Sequence, residues 1–519
     1  MSLHSSELSS SENTSPLNLG WREKRYARFY QIVDLLVDQI QHHAYANTGK
    51  PKRKVRGAEL EKLHYSVECL LRDSVAVVLN RKRKGEAAIK KGQHHYSADR
   101  SEKMLTYSIH IQRAFTALIE MGYLEVTRKG NYDRKGQKDG SRQNKLTRYA
   151  ATDRLLALFT EHEIKALPAH LPVYRHPQLI KVRAKELDEY GLEHRVTLQY
   201  EESPETERII ANLKTINNAL ARNWYDLEIS DDELLALQMR LAGDKFEERQ
   251  IRLDHKTLYR VFNDTGLTTG GRFYGGWWQN IPREYRHYLA VNGKKMVELD
   301  YSNQHPTILY ALEGATRPED CYSNIIKPRK NSDNVEGLRK QIKLAFNAML
   351  NAKQPLLRPP KDISFAPYGL KWKEVAKAIM VAHHPIAHHF YTGVGLRLQR
   401  IDSDIAERIL LHFTSNSIPI LPLHDSFLMH NGYETWLEPV MLKAFEDVVG
   451  RTPKIEKKVK KKAHPDDGAN NAQQDSSAVR SATDYFDDDL DPITDDIEVL
   501  AARLQGHDHR LSAFFASRH

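Results

Sequence analysis

The chain has 519 residues, with 77 Lys and Arg against 68 Asp and Glu and a formal net charge of +9, a length that suits roughly two to four domains and a balance that suits a polyanionic partner. Its two cysteines, Cys69 and Cys321, exclude a disulfide framework and a cysteine-rich zinc site and fit a reducing compartment. The opening segment has neither a basic n-region nor an apolar h-region, and no apolar run reaches the roughly 18 residues of a membrane span, so a soluble cytoplasmic protein without a membrane partner is expected.

Residues 1–20 are Ser-rich and polar, with too few apolar groups to offset the entropy of ordering, and predict a disordered lead. Order is expected from Trp21, where WREKRYARFYQIVDLLVDQIQHH repeats apolar residues at helical spacing. Basic runs follow at Lys52 to Arg56 and Arg81 to Lys84. The segment SIHIQRAFTALIEMGYLEVTRKG, a polar stretch and then KLTRYAATDRLLALF read as a helix, a strand, a loop and a second strand. Ile111, Phe115, Leu118 and Ile119 form the apolar face of the helix, while Leu124, Val126 and Tyr149 suit paired strands. The loop carries Arg128, Lys129, Arg134, Lys135 and Lys138, a set suited to phosphate contacts. The alternative is an ordinary hairpin with a solvated basic loop. This arrangement resembles a winged helix, which makes residues 21–165 a basic helical and winged-helix-like domain with Arg128 and Lys129 as candidate nucleic-acid contacts.

Residues 166–260 are charged and mainly helical, including ETERIIANLKTINNALARNW and DDELLALQMRLAGDKFEERQ, and read as a thumb-like or linking region without a catalytic signature. The stretch Thr268 to Leu312 then holds several unusual strings in order: Gly271-Arg272, Gln279-Asn280-Ile281-Pro282-Arg283 and Leu299-Asp300-Tyr301-Ser302. Met296, Val297 and Leu299 supply strand character, and Asp300 falls where that pattern gives way to a helix-like run from Thr307 to Leu312. An isolated Asp ending a strand is ordinarily a cap or turn residue. Its company is IPILPLHDSFLM, residues 418–429, where apolar residues flank His424-Asp425 in an expected tight hairpin. A carboxylate among strand-forming apolar residues is costly unless paired or bound to metal.

These strings resemble the palm of family A DNA polymerases, with the first Asp in its motif A and the second in its motif C. The resemblance covers about residues 268–454 and implies an α+β fold with a right-hand palm and fingers over residues 261–455. It implies that Asp300, the carbonyl of Tyr301 and Asp425 hold two Mg2+ ions, with Mn2+ as a substitute. Two such ions about 4 Å apart activate the attacking hydroxyl and neutralise the leaving pyrophosphate. His424 would position the primer end, and Arg272, Gln279, Arg283 and Gln399 would contact template or primer. Between the two motifs lies a strong helix pattern from Gly337 to Asn351, which looks like the fingers helix; Arg339, Lys343 and Asn347 are four apart on one face, where the cations could grip a nucleoside triphosphate. Phe346 would stack on base or sugar. The run from Gly395 to Leu410 resembles the helix preceding motif C, with Gln399, Asp402 and Ser403 facing the palm.

The pattern also departs from that family. His305 stands where its sugar-excluding Glu is found, Phe346 follows Lys343 by three residues instead of four, and His-Asp-Ser-Phe replaces His-Asp-Glu in the manner of single-subunit phage RNA polymerases. No proofreading exonuclease is expected. The reading is a template-directed nucleotidyltransferase of a bacterial or phage-infected cell, acting on a DNA template and primer with nucleoside triphosphates. DNA synthesis is preferred to RNA synthesis, and a winged-helix replication initiator with an inactive palm is the alternative. The histidines at 383–384 and 388–389 flank Pro385 with no acidic residue near them in sequence, so surface or core roles are expected rather than zinc binding. Residues 456–519 turn from basic to acidic and predict a charged, largely disordered tail suited to a protein partner, with a short amphipathic helix from Ile497 to Leu504.

Overall fold

In the computed structural model, which describes residues 27–46, 56–77, 86–89, 110–130, 147–164, 179–187, 193–242, 251, 253, 255–331, 333–457 and 497–516, the chain is a mixed α+β protein. It divides into one unit made of residues 1–178, 229–255 and 495–519 and a second made of residues 179–228 and 256–494. The expected lead and most of the basic runs, with Arg134, Lys135 and Lys138, lie outside the described residues.

The helical spacing that starts at Trp21 becomes α1 (Ala27–Ala46), followed by α2 (Ala58–Val77), β1 (Ala87–Ile89), α3 (His110–Glu120), β2 (Leu124–Arg128), β3 (Thr147–Ala151) and α4 (Asp153–Glu161). The three strands form an antiparallel sheet in the order β1-β3-β2. Leu36, Val67, Leu71, Phe115, Leu118 and Tyr149 close one apolar core. The second strand expected from KLTRYAATDRLLALF stops at Ala151, and its remainder is α4. The Thr152 hydroxyl donates to the carbonyls of Gly122 and Tyr123, and Leu155 and Phe159, four apart, bury a helical face.

The second unit takes β4 (Ile180–Leu187), β5 (Glu193–Leu198), α5 (Pro204–Ala221) and β6 (Tyr225–Leu227). The chain then returns to the first unit as α6 (Asp231–Ala242). Residues 166–260 are thus not one linking region, because β4 pairs with later strands of unit two while α6 lies in unit one. After that come β7 (Tyr259–Phe262), β8 (Gly270–Tyr274), β9 (Leu289–Val291), β10 (Lys294–Ser302), α7 (Gln304–Leu312), α8 (Val335–Asn351), α9 (Trp372–Ala382), α10 (Gly395–Ser415), β11 (Ile420–Leu423), β12 (Ser426–His430), α11 (Glu434–Val449) and β13 (Lys454–Lys457).

These strands make two sheets: one in the order β5-β4-β7-β8, the other in the order β11-β12-β10-β9-β6 with β13 added to β10. The last element, α12 (Ile497–Ala516), is longer than the short helix expected in a disordered tail, and it packs on α6. Arg503 pairs with Glu233, Arg510 pairs with Asp231 and donates to the Ile229 carbonyl, and a Cβ on Gly506 would meet the Asp231 nitrogen at 2.8 Å. Glu456, assigned to the tail, belongs to β13 opposite Asp300. Among the described residues, no helix is long and apolar enough to cross a membrane.

Unit two is laced by one buried charge network. Arg260 on β7 is fully buried and donates to the Gly271 carbonyl at 2.7 Å, to Ser403 at 2.8 Å and to Glu407 at 3.2 Å, with Asp404 at 3.3 Å. Arg208 on α5 reaches the same Glu407 at 2.8 Å, and Arg400 pairs with Asp404. Gly271 sits at φ +85°, and a Cβ there would lie 2.8 to 3.0 Å from Phe262, Ser403 and Arg260, so a glycine is needed for β8 to approach α10 this closely. Arg272, the next residue, is held in place by this contact.

Candidate active site

The strongest geometric feature of unit two is the meeting of β10 and the β11–β12 turn. Asp300 is half-buried on β10 and lies directly across from Ser426 on β12. Asp425 occupies the turn between β11 and β12, with its carbonyl 3.5 Å from the Tyr301 amide. Two acidic residues 125 positions apart in sequence are therefore brought to one end of β10, one on the strand and one in the turn beside it. Backbone punctuation sits beside each of them. His424 takes a left-handed conformation at φ +59°, and Asn303 does so at φ +53° before α7. Such conformations are uncommon for non-glycine residues and are held by the surrounding structure.

The side-chain period of β10 places Glu298 on the same face as Asp300. Glu298 accepts from the Ser426 hydroxyl at 2.7 Å and lies 3.9 Å from Arg286. Burial holds the Arg286 guanidinium below its ordinary pKa, and Glu298, Asp300 and Asp425 act on it in the opposite sense. Glu298 and Arg286 had no motif to announce them; only the two-residue offset from Asp300 on an expected strand pointed to Glu298.

Arg272 sits on the other flank. Its Nε donates to Asp402 at 2.7 Å and its Nη2 lies 3.5 Å from the His305 Nε2. Burial opposes its charge, but Asp402 and Asp425 hold the guanidinium above its ordinary value. Burial also pushes the Asp402 carboxyl up to about 6, with Arg272 opposing and Asp425 reinforcing the shift. The rings of His305 and His424 are lowered by burial, and next by Arg272, to about 4, so both are neutral near pH 7. The His424 ring packs edge-on to Tyr274 at 5.9 Å. Tyr274 in turn stacks on Tyr259, whose ring lies 3.5 Å from the Lys181 ammonium.

A pH prediction follows from Asp402. Its folded pKa is raised, so its contribution to stability is full below the unfolded value and is lost as pH rises through about 6. The stability of Asp402→Asn relative to the parent should therefore rise between pH 4 and pH 7, as read by denaturant titrations at several pH values. A difference that is flat or falls over that range counts against the assignment.

The remaining candidates divide into those that reach solvent and those that do not. Arg339 pairs with Asp320 at 2.8 Å and lies 5.6 Å above the Tyr322 ring, with Lys343 5.9 Å from the same ring. Lys343 is exposed and Asn347 half-buried, so this face of α8 is available to a ligand. Arg283 is exposed, Gln399 is half-buried, and in unit one Arg128 and Lys129 are exposed.

Four expectations need correction. Phe346 is completely buried among Tyr322, His383 and Phe390 at 5.0 to 5.6 Å and cannot stack on a base, because it lies on the buried apolar stripe of α8 with Ile342, Ala345, Met349 and Leu350. Phe346→Ala should cost about 3–5 kcal/mol as a core truncation, seen as a lowered unfolding midpoint with no specific loss of nucleotide affinity in the protein that remains folded. The buried side chain of Gln279 donates to the Phe273 carbonyl at 2.9 Å and the Pro422 carbonyl at 3.4 Å. It braces β11 beside the Asp425 turn, and its amide is spent on those carbonyls instead of a nucleic acid. The Tyr301 side chain faces away from Asp300, donating to the Met441 carbonyl at 2.6 Å. The histidines, finally, do meet an acid, since the fold brings Glu313 to His388 and His389.

No protein-family model matches the chain, and no curated protein matches it.

Proposed function

We propose that this protein is a template-directed nucleotidyltransferase whose second unit carries a polymerase palm, and that it extends a DNA primer with deoxynucleoside triphosphates. One observation supports this above the others: the β11–β12 turn that carries Asp425 meets the end of β10, with Ser426 opposite Asp300 and the Asp425 carbonyl 3.5 Å from the Tyr301 amide. The donor set fits Mg2+, since it is made of hard carboxylate oxygens on half-exposed positions. Ions held there would activate the attacking hydroxyl and neutralise the leaving pyrophosphate.

The protein's own residues contribute position and charge. Arg272 is fixed by Asp402 and by the Gly271 contact beneath it, so that its charge is oriented beside Asp425 without a search over rotamers. His424, neutral and braced by Tyr274, offers an oriented ring next to Asp425. Arg339 and Lys343 supply two cations along one face of α8 for a triphosphate. His305 beside Arg272 has no carboxylate with which to exclude a ribose hydroxyl, which is why the nucleotide set is part of the test.

The test is extension of a primed DNA template by purified protein with Mg2+, run with deoxynucleotides and with ribonucleotides. Primer lengthening with deoxynucleotides supports the reading, and lengthening with ribonucleotides alone would replace it with an RNA polymerase. No lengthening with either set, or with Mn2+, would leave the initiator reading. That reading draws on unit one, where α3 leads into an antiparallel sheet whose exposed Arg128 and Lys129 open the basic loop; it requires DNA binding that weakens steeply with salt.

A further inference from the structure

Away from the carboxylates of β10, α7 ends at a second cluster whose members were separated in sequence by 75 and 76 positions. Glu313 is the residue at the C-terminal end of α7. His388 and His389 close the 3-10 helix His384–His389 that follows α9. Both imidazole Nε2 atoms point at the same Glu313 oxygen, at 3.1 Å from His388 and 2.7 Å from His389. The two rings lie 4.2 Å apart at 36°. Neighbouring residues of a 3-10 helix are about a third of a turn apart, so their side chains ordinarily diverge; here they converge.

The frame beneath this cluster is rigid. His383, one residue before the 3-10 helix, meets the Tyr310 hydroxyl on α7 at 3.0 Å and the Cys321 carbonyl at 2.8 Å. Ile386, within the helix, is fully buried. The α7 end and the histidine segment are thus tied together independently of Glu313. The three ligand atoms lie within 4.8 Å of one another. For comparison, the corners of a tetrahedral zinc site with bonds of ~2.0–2.1 Å are about 3.3 Å apart.

Charge points the same way. A carboxylate at the C-terminal end of a helix faces the negative end of the macrodipole, where a cation is favoured. A divalent ion held there would offset that charge. The cluster is also open: the side chains of His388, Glu313 and His389 are 60%, 30% and 15% exposed. An ion could enter from solvent and keep a coordination position for water or a further ligand.

We propose that Glu313, His388 and His389 form a binding site for one borderline transition-metal ion of the zinc class, joining the end of α7 to the segment between α9 and α10. Two imidazoles and one carboxylate select Zn2+, Co2+ or Ni2+ over Mg2+, whose preference is for oxygen. The site is distinct from the Asp300 and Asp425 pair in donor chemistry and does not depend on the nucleotidyl transfer reading.

The test uses the full chain without a histidine tag, stripped with a chelator and dialysed against Zn2+ in excess Mg2+. Asp300→Asn/Asp425→Asn is run alongside to remove binding at the other carboxylates. About one equivalent of zinc is expected in both proteins, with affinity lowered on the order of 10-fold or more by His388→Ala and by Glu313→Gln. Both of these replace exposed side chains, so folding should survive; His389→Gln, which keeps the side-chain volume, serves as the third variant. Cobalt in place of zinc should give the visible absorption of a low-coordinate centre in the parent and lose it in the variants. A parent that takes up no zinc, zinc uptake unchanged by His388→Ala/His389→Gln, or uptake lost only in Asp300→Asn/Asp425→Asn would each overturn the proposal.

Discussion

Asp425→Ala is expected to lower the rate of primer extension by about three orders of magnitude, equivalent to roughly 4 kcal/mol of transition-state stabilisation, and Asp300→Ala to do the same. The expectation rests on the adjacency of the two residues across β10 and the β11–β12 turn, which makes them a single donor set. Removing either should cost about as much as removing both, since groups that act as a unit are not additive. Stability should move little or even upward. Two carboxylates on neighbouring half-buried positions repel, and a functional arrangement of this kind is held at the expense of the fold. The measurement is single-turnover extension with saturating Mg2+, paired with a thermal melt of each variant. Retained extension in the double variant would remove these aspartates from the chemistry, and a melt lowered by many degrees would reassign them to structure.

Replacing Arg260 with methionine is expected to destabilise the second unit by about 3–5 kcal/mol, the range for removing one partner of a buried ion pair. Arg260 is fully buried, and burial lowers its pKa to about 10 even with Glu407 beside it. Its charge is tolerated because four groups from two elements meet it: the Gly271 carbonyl of β8 and Ser403, Asp404 and Glu407 of α10. Methionine fills much of the volume but leaves Glu407, itself buried, with Arg208 as its remaining cation among the described residues, and it takes from the Gly271 carbonyl the guanidinium that donates to it. Trp224, Trp277 and Trp278 are buried in the same unit, so tryptophan fluorescence in a urea titration reads the loss directly. Arg260→Met/Glu407→Gln should recover part of it by removing the stranded charge. A loss below about 1 kcal/mol would show that the network is ornamental. Extension should also fall in the single variant at temperatures where it is still folded, because the Gly271 backbone that carries Arg272 loses its anchor.

Much of the local structure was legible before any coordinates. The helical face of Ile111, Phe115 and Leu118, the strand ending near Asp300 and the hairpin around His424-Asp425 all lie in elements of the expected kind. Each was announced by periodicity or by turn residues within a dozen positions. The apolar residues of KLTRYAATDRLLALF suit either period, and the Thr152 hydroxyl bonded to Gly122 and Tyr123 settles where the strand stops. The length of α12 was hidden for a related reason, since its polar surface looks disordered until Arg503 and Arg510 meet Glu233 and Asp231.

By itself the sequence determined the order of the motifs, the strand and turn that carry Asp300 and Asp425, and the cationic stripe of Arg339 and Lys343. These depend on backbone propensities and side-chain periods, which act over a few residues. Only the tertiary structure decided which side chains meet. It brought Asp402 to Arg272, Glu298 and Arg286 to the aspartates, and Glu313 to His388 and His389, and it turned Phe346 and Gln279 inward. Burial and distance between segments far apart in the chain set pKa values and choose partners, and no local pattern encodes either.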